Sequence, residues 1–512
     1  MATFIIRRLI ASIFILIAAT FIMYNLVALS GDPLKDLYES NAINKQALID
    51  ARTELLHLDV PPPIRYFVYW LPGVAGCLIG QCDLGVTVQN QPVTILLQQA
   101  MGSTLQLVTL ATIVAIFLGL IVGITTALRQ YSGYDYSVTF LSFLFFSLPV
   151  FWVAVLLKQF IAIGLNDFYQ DGPQIPWLAV AIISLIAGLL WMSILPFAGK
   201  KRVITFLVAL VATAGVLTYM NLTSWFTYPH IGFGGFVVMA VGIAFGVTAI
   251  SVGLKKRKVL IASLIVAGLG IALYFPFFRL FSIGMTPLLF IGSAVLIAVI
   301  AGAIGWFMEK SDRGPAARTT AIVGLLIGGV MSIDRFMFVF DEYTASGYVK
   351  GRPIATIGSS TPNLEGSFWV QGVDTFTHLL LPTLALILIS FATYTRYSRA
   401  SLLEVMNQDY IRTARAKGLT SRTVVVRHAF RNALIPIATI VAFDIGGIIG
   451  GAVITERVFG WTGMGQLFQN GLEHVDPNPV MAFFIVTGSL AILFNLIADL
   501  VYSALDPRIR VS

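Results

Sequence analysis

Runs of about twenty apolar residues constrain this chain more than any other feature. A helix of about 20 residues crosses the ~30 Å hydrocarbon layer of a bilayer. There the backbone must satisfy its own polar groups, so a span is a helix or part of a closed barrel. About twelve such runs are present, near residues 9–29, 104–128, 138–163, 177–197, 203–222, 233–253, 259–278, 286–308, 319–340, 376–397, 433–455 and 480–503. The chain is 57% hydrophobic and 11% charged, against about 25% charged in soluble domains. Too few charges remain to cover a soluble surface of 512 residues. The net charge of +8 does not point to nucleic acid, because the basic residues cluster in short loops between apolar runs. The expectation is an all-α, polytopic membrane protein.

Those loops also predict an orientation. The N-terminal run reads as an uncleaved first helix with Arg7 and Arg8 held inside the cytoplasm. Counting spans then places loops 129–137, 199–202, 255–258, 309–318, 396–432 and the tail with Arg508 and Arg510 on the same side. Every basic cluster falls there, as the positive-inside rule requires. Both termini are expected in the cytoplasm, and the polar stretches 31–103 and 341–375 outside. The first reads as a small folded element and the second, rich in Gly, Ser, Thr and Pro, as an irregular loop. Cys77 and Cys82 lie in the first stretch, on the side where disulfides survive. Their spacing permits a short closed loop, so a disulfide is the expectation. Neither the cysteines nor the five scattered histidines show metal-ligand spacing.

Residues 412–431 read RTARAKGLTSRTVVVRHAFR, a basic, helix-prone loop between two apolar runs. Ala414, Ala416 and Gly418 are small residues on a predicted short helix that stops at the glycine. Small side chains let a partner approach the backbone, and Arg412, Arg415, Lys417, Arg422 and Arg427 form a charged rim. A docking site and an ordinary solvated positive-inside loop both fit these residues taken alone.

The run ARAKGL followed by RHAFRNALIP resembles the signature of ABC-importer permeases of the dipeptide, oligopeptide and nickel type. The resemblance extends over residues 6–33, ending in SGDP, and over Asp83–Gly85 with Gln91 and Pro92, although Cys82 stands where glycine is expected. It includes Ser147, Leu148 and Pro149 with Phe151 and Trp152, the YSRASLLE segment at 397–404, Gly446, Gly447, Gly450, Gly451 and Glu456, then residues 461–465 and 498–508. It covers about the first 165 residues and everything after Phe376. It implies a type I importer permease fold. In it, Ala414, Arg415, Ala416, Lys417, Gly418 and Leu419 would form a coupling helix docked on an ATPase. The general importer motif opens Glu-Ala-Ala; here Arg412 and Thr413 occupy its first positions, as in the peptide branch.

The resemblance also implies partners: a second related permease, two ATP-binding-cassette subunits and an extracytoplasmic substrate-binding protein. ATP and Mg would be bound by the ATPases, since this chain contains no G-x-x-x-x-G-K-[ST] loop. It would be a transport subunit and not itself an enzyme. The expected organisation is a first span in 1–30, an outer region in 31–103, core spans two and three in 104–165, an inserted six-helix block in 166–345, an outer loop in 346–375, and core spans four to six with the coupling helix in 376–512. The block has no place in the six-span family core. It reads as three hairpins on basic turns, more readily a lipid-facing addition than a direct part of transport.

An ionisable group inside a span is costly and marks a site or a partner. Asp444, in IVAFDIGGIIGG, has two such readings: a translocation-path residue that meets a substrate amino group, or a residue paired to a neighbouring helix or the second permease. Lys158 and Asp499 lie nearer span ends and read as structural or snorkelling; Asp334 and Arg335 read as locally paired. Together these features predict one half of the translocation pathway of an ATP-driven di- or oligopeptide importer. Nickel- or glutathione-type import uses the same scaffold by resemblance. A self-contained twelve-span secondary transporter would show two similar halves, and a membrane enzyme would show an acidic or His-rich surface site; neither is evident.

Overall fold

The computed structural model describes residues 2–195, 197, 199–282 and 284–505; within its helices, the side chains of 2–5, 422, 435, 439, 442–443, 445–451 and 498–505 lie outside the description. Arg508 and Arg510 fall beyond these residues, as does the side chain of Asp499. The described chain is helical, with one isolated β-bridge at Val86 and Pro92. Among the described residues, eleven helices are long and apolar enough to cross a membrane. The thirty-residue helix Phe430–Phe459 brings the total to about twelve. The protein is a multi-pass membrane protein, and its contacts divide into two compact units.

The first unit comprises Met1–Ile161, Thr356–Ser359 and Leu379–Ser512. Its long helices are α1 (Ala2–Leu29), α2 (Val93–Leu128), α3 (Gly133–Ser147) and α4 (Val150–Leu156), which runs on as the π-helix Leu157–Ile163. Small residues bring α2 against the chain near residue 395. A Cβ on Gly119 would stand 2.5 Å from Tyr394 Cβ, and one on Gly123 would stand 2.7 Å from the Thr395 carbonyl oxygen. Such close approach is how helices associate where no hydrophobic force separates them from lipid. The region 31–103 is a folded element, with Leu34, Leu37 and Ile49 forming a small core beside Leu58. The Cys77 and Cys82 sulfurs are 2.00 Å apart, in a disulfide.

The apolar run 138–163 is not one helix. It breaks between α3 and α4, where Leu148 is extended (ψ 130°) and Pro149 follows. The proline ring disfavours helical backbone at the residue before it. Hydropathy is continuous across the break, so the run alone suggests a single span.

The second unit comprises Ala162–Ala355 and Ser360–His378. It holds three hairpins: α5 (Trp177–Ile194) with α6 (Lys200–Leu222), α7 (Gly232–Ser251) with α8 (Arg257–Leu280), and α9 (Pro287–Met308) with α10 (Arg313–Phe338). Helices α7, α8 and α10 share a core of Phe236, Ala240, Val266, Tyr274 and Ile327, and α9 lies along α10. Glycine makes the α9–α10 contact close: a Cβ on Gly305 would fall 2.2 Å from Thr320 Oγ1. By contrast α6 buries no residue in its unit, as suits a helix facing lipid.

Asp334 and Arg335 each meet other groups nearby, as expected. Asp334 is 1% exposed and accepts hydrogen bonds from Ile231 N (2.6 Å) and from the Tyr274 hydroxyl, holding the start of α7. The Arg335 guanidinium lies over the rings of Phe278 and Phe338 at 5.0 and 5.3 Å. The stretch 341–375 is irregular only in its middle, because Phe340–Ala345 is a short helix and α11 (Phe368–Met406) begins within it. At its other end α11 continues nine residues past the predicted boundary at Tyr397. The segment SRASLLEVM contains good helix formers and no breaker, so the helix outlasts the hydropathy.

Candidate functional site

After α11 the chain turns once and forms α12 (Asp409–Ala416). Asp409 lies in its first turn and Arg415 in its last, each matching the helix dipole. One face is anchored. Ile411 is 0% and Ala414 6% exposed, packed with Ala127, Leu402, Val424, Ala429 and Ala433. Ala414 therefore packs inward instead of adding to the exposed surface of the helix. Arg412, Thr413, Arg415, Ala416, Lys417, Gly418 and Leu419 are exposed. Leu419, an apolar side chain, is 41% exposed beside these charges.

The helix stops through its backbone. Gly418 has φ +76°, its N–H donates to Arg415 O (2.9 Å), and Leu419 N donates to Ala414 O (3.4 Å). This left-handed position is the usual glycine C-cap. A Cβ at Gly418 would meet nothing within 4 Å, so conformation and not crowding within the chain selects glycine. Thr420 then caps the next turn, accepting from Thr423 N (3.3 Å), and a π-helix, Val424–Ala429, leads into α13 (Phe430–Phe459). Asn432 Nδ2 donates to the Tyr410 hydroxyl (2.9 Å), and Ser401 Oγ donates to Ala433 O (2.9 Å). The first bond ties the first turn of α12 to α13, and the second joins α11 directly to α13.

An ion pair between the half-buried Arg399 and the buried Asp135 extends this frame to α3. Arg399 donates from Nε to Asp135 Oδ1 (2.8 Å) and from Nη2 to Oδ2 (3.0 Å). The Tyr131 N–H donates to Asp135 Oδ2 (3.0 Å). The hydrogen bonds from Arg399 hold the Asp135 carboxyl below the ordinary carboxylate range, despite burial. Neither residue stood out in the sequence, because 264 positions separate them.

Two further carboxylates fix turns far from α12 in sequence. Glu456 is 0% exposed and accepts from Thr104 Oγ1 (2.6 Å) and Gly465 N (2.7 Å). A Cβ on Gly463 would fall 2.4 Å from its Oε1, so the WTGMG turn is wrapped around this side chain. Asp476 accepts from Val88 N (2.7 Å), and Asn478 Nδ2 donates to Val86 O (2.8 Å), joining the segment before α14 (Pro477–Leu505) to residues 86–88. Burial lifts the Asp476 carboxyl to about 6.

Asp444 is half-buried on α13. Its carboxyl acts electrostatically on the buried Tyr394 phenol of α11, whose hydroxyl has no hydrogen bond of ordinary geometry among the described residues. Gly446, Gly447, Gly450 and Gly451 lie outside the residues whose surroundings are described. Lys158 Nζ donates to Val458 O (3.2 Å) in the last turn of α13, a structural contact that also suits the helix dipole. Among the described residues no group of three His, Cys, Asp or Glu side chains forms a metal site.

The chain is similar to several curated proteins. It is 44% identical to the oligopeptide transport system permease protein OppB of Mycobacterium tuberculosis over 155 residues, 30% of this chain and 48% of that protein. It is 36% identical to a putative peptide permease protein of Brucella ovis over 219 residues, 43% and 65% of the two chains. It is 41% identical to the dipeptide transport system permease protein DppB of Escherichia coli over 146 residues, 28% and 42% of the two. The chain thus spans about half the length of the curated relatives it matches. The family model for the inner membrane component of binding-protein-dependent transport systems matches residues 201–511, more than half of the sequence, and the chain belongs to that family.

Proposed function

We propose that this chain is a permease subunit of an ATP-driven importer of di- or oligopeptides and forms half of its translocation pathway. The observation that carries the reading is the construction of α12. Its inner face is anchored by Ile411 and Ala414, while Arg415, Ala416, Lys417, Gly418 and Leu419 project a small, basic end. The helix is held to its neighbours by the packing of Ile411 and Ala414 against Leu402, Ala429 and Ala433 and by the Tyr410–Asn432 bond, so force applied to that end is passed to α11 and α13 through the body of α12. The permease names of the relatives support the peptide class of substrate.

In this reading both termini and α12 face the cytoplasm. Two ATP-binding-cassette subunits, which hold ATP and Mg, dock on α12 and on its counterpart in a second related permease. A substrate-binding protein delivers peptide to the opposite face. Closure of the ATPases draws the coupling helices together, and the flanking spans rock between inward and outward access. The core is contributed by 1–165 and 376–512, with 166–345 as an added block. Asp444 faces the pathway and meets the substrate amino group; an Asp444→Asn variant then loses affinity for peptides more than for their N-acetylated forms.

Purification through this chain in mild detergent tests the assembly. A second permease and an ATP-binding-cassette protein should accompany it. Isolation of the chain alone, with peptide or nickel uptake driven by an ion gradient in liposomes, would overturn the proposal and favour a self-contained transporter.

A further inference from the structure

The second unit contains an open groove of about 940 Å³ between α8, α9 and α10. Its walls are apolar, with Leu273, Phe277, Leu289, Leu296 and Ile300 among them. Many of the wall residues are exposed; Leu289 and Leu296 are 59% and 58% accessible. The two serines in the wall are already satisfied: Ser293 Oγ donates to Phe290 O (2.7 Å) and Ser332 Oγ to Gly328 O (2.9 Å). Neither hydroxyl has a proton left to donate to a ligand, and water in such a space finds few partners.

Glycine helps to keep the groove open. Gly292 of α9 and Gly329 of α10 both line it, and a Cβ on either would meet nothing within 4 Å. Elsewhere on the same helices glycine does the opposite and draws partners together, as at Gly305 and Gly324. Along α9 the lining runs from Leu288 to Ile304, about 24 Å at 1.5 Å per residue. One leaflet of the hydrocarbon layer is about 15 Å deep. Arg279 directly precedes the lining residues Leu280 and Phe281; it is exposed in the last turn of α8 and has no ion pair among the described residues.

We propose that this groove binds one acyl chain of an anionic phospholipid, with the lipid phosphate at Arg279. The apolar lining, a length along α9 that exceeds the depth of one leaflet, and the exposed cation next to Leu280 argue for this occupant. The site gives the second unit a ligand of its own, whatever solute the chain carries.

The test uses the full chain in lipid nanodiscs containing a trace of phosphatidylglycerol with a diazirine in one acyl chain. After photolysis, label is mapped by peptide mass spectrometry. Label per residue on groove positions such as Leu273 and Leu296 should exceed that on α6, which buries no residue in its unit. The double variant Gly292→Leu with Gly329→Leu should lower groove labelling several-fold and leave α6 labelling unchanged. Arg279→Gln should remove the preference for phosphatidylglycerol over a phosphatidylcholine probe. Groove labelling equal to that of α6, labelling indifferent to the leucines, or a partner polypeptide cross-linked in the groove would each overturn the proposal. Should the double variant fail to assemble, native mass spectrometry of the wild type decides. One phospholipid retained through detergent exchange supports the site, and a lipid-free chain contradicts it.

Discussion

At Gly418 the backbone, and not the space around it, decides which residue is allowed. Its φ of +76° costs a residue with a Cβ about 1–2 kcal/mol, and Asn bears this better than a β-branched residue. Gly418→Asn should therefore keep the α12 C-cap, whereas Gly418→Val should loosen it. Hydrogen exchange at the Gly418 and Leu419 amides, which donate to Arg415 O and Ala414 O, checks this; equal protection in the two variants would contradict it. The Asp135–Arg399 pair is a second residue-scale test. Arg399 keeps 29% of its side chain exposed, so the cost of losing its partner lies between that of a surface and of a buried pair, and Asp135→Asn should destabilise the first unit by about 1–2 kcal/mol. The pair's contribution is present above the ordinary carboxylate range, because Arg399 holds the folded Asp135 below it. It is lost as pH falls through the depressed folded value.

Asp476 has the opposite sign. Its folded value of about 6 lies above the unfolded value of about 3.9. The folded chain thus takes up a proton that the unfolded chain releases. Stability contributed by this group should rise as pH falls from about 7 toward 4, by about 3 kcal/mol in all. Asp476→Asn should flatten that rise in thermal melts; an unchanged slope would show that burial does not govern this carboxyl.

Among the elements, the α2–α11 contact leaves no room for one added methyl group. A Cβ on Gly123 would press on backbone atoms of α11, whereas one on Gly102, also in α2, would meet nothing within 4 Å. Overpacking of this kind costs about 1–3 kcal/mol. Gly123→Ala should lower the yield of folded protein in membranes while Gly102→Ala does not, and equal yields would contradict the contact. Most helices were legible as apolar runs because hydropathy and helix length report the same constraint in a bilayer. Two boundaries were not. The break at Pro149 hides inside continuous hydropathy, and α11 extends to Met406 on helix propensity after its hydropathy ends. The outline of α12 and its stop at Gly418 were visible in the sequence. Which face points inward was not, because Ile411 and Ala414 are buried by residues as distant as Ala127 and Ala433. What Glu456 and Asp476 hold was hidden for the same reason, although the motifs included Glu456: their partners, Thr104 and Val88, lie hundreds of positions away.

For the whole molecule, composition fixed the class and the motifs fixed the family. About twelve membrane helices match the count of apolar runs, and the family match to the inner membrane component of binding-protein-dependent transport agrees with the ARAKGL and RHAFRNALIP segments. The second unit lay beyond the reach of the motifs, since its hairpins read as hydrophobic and little else. Its groove depends on which helices meet, and hydropathy does not contain that. The central claim concerns the other unit: a subunit without its own ATP site is driven through the exposed end of α12. The direct test is ATP hydrolysis in the complex purified through this chain, stimulated by peptide-loaded binding protein, with wild type compared to Ala416→Trp. Ala416 is exposed, so the tryptophan leaves the chain's own packing intact. The account predicts stimulated hydrolysis in the wild type and its loss in a variant that still inserts normally. Stimulated hydrolysis unaffected by the tryptophan, or peptide transport by the chain without any hydrolysing partner, would contradict it.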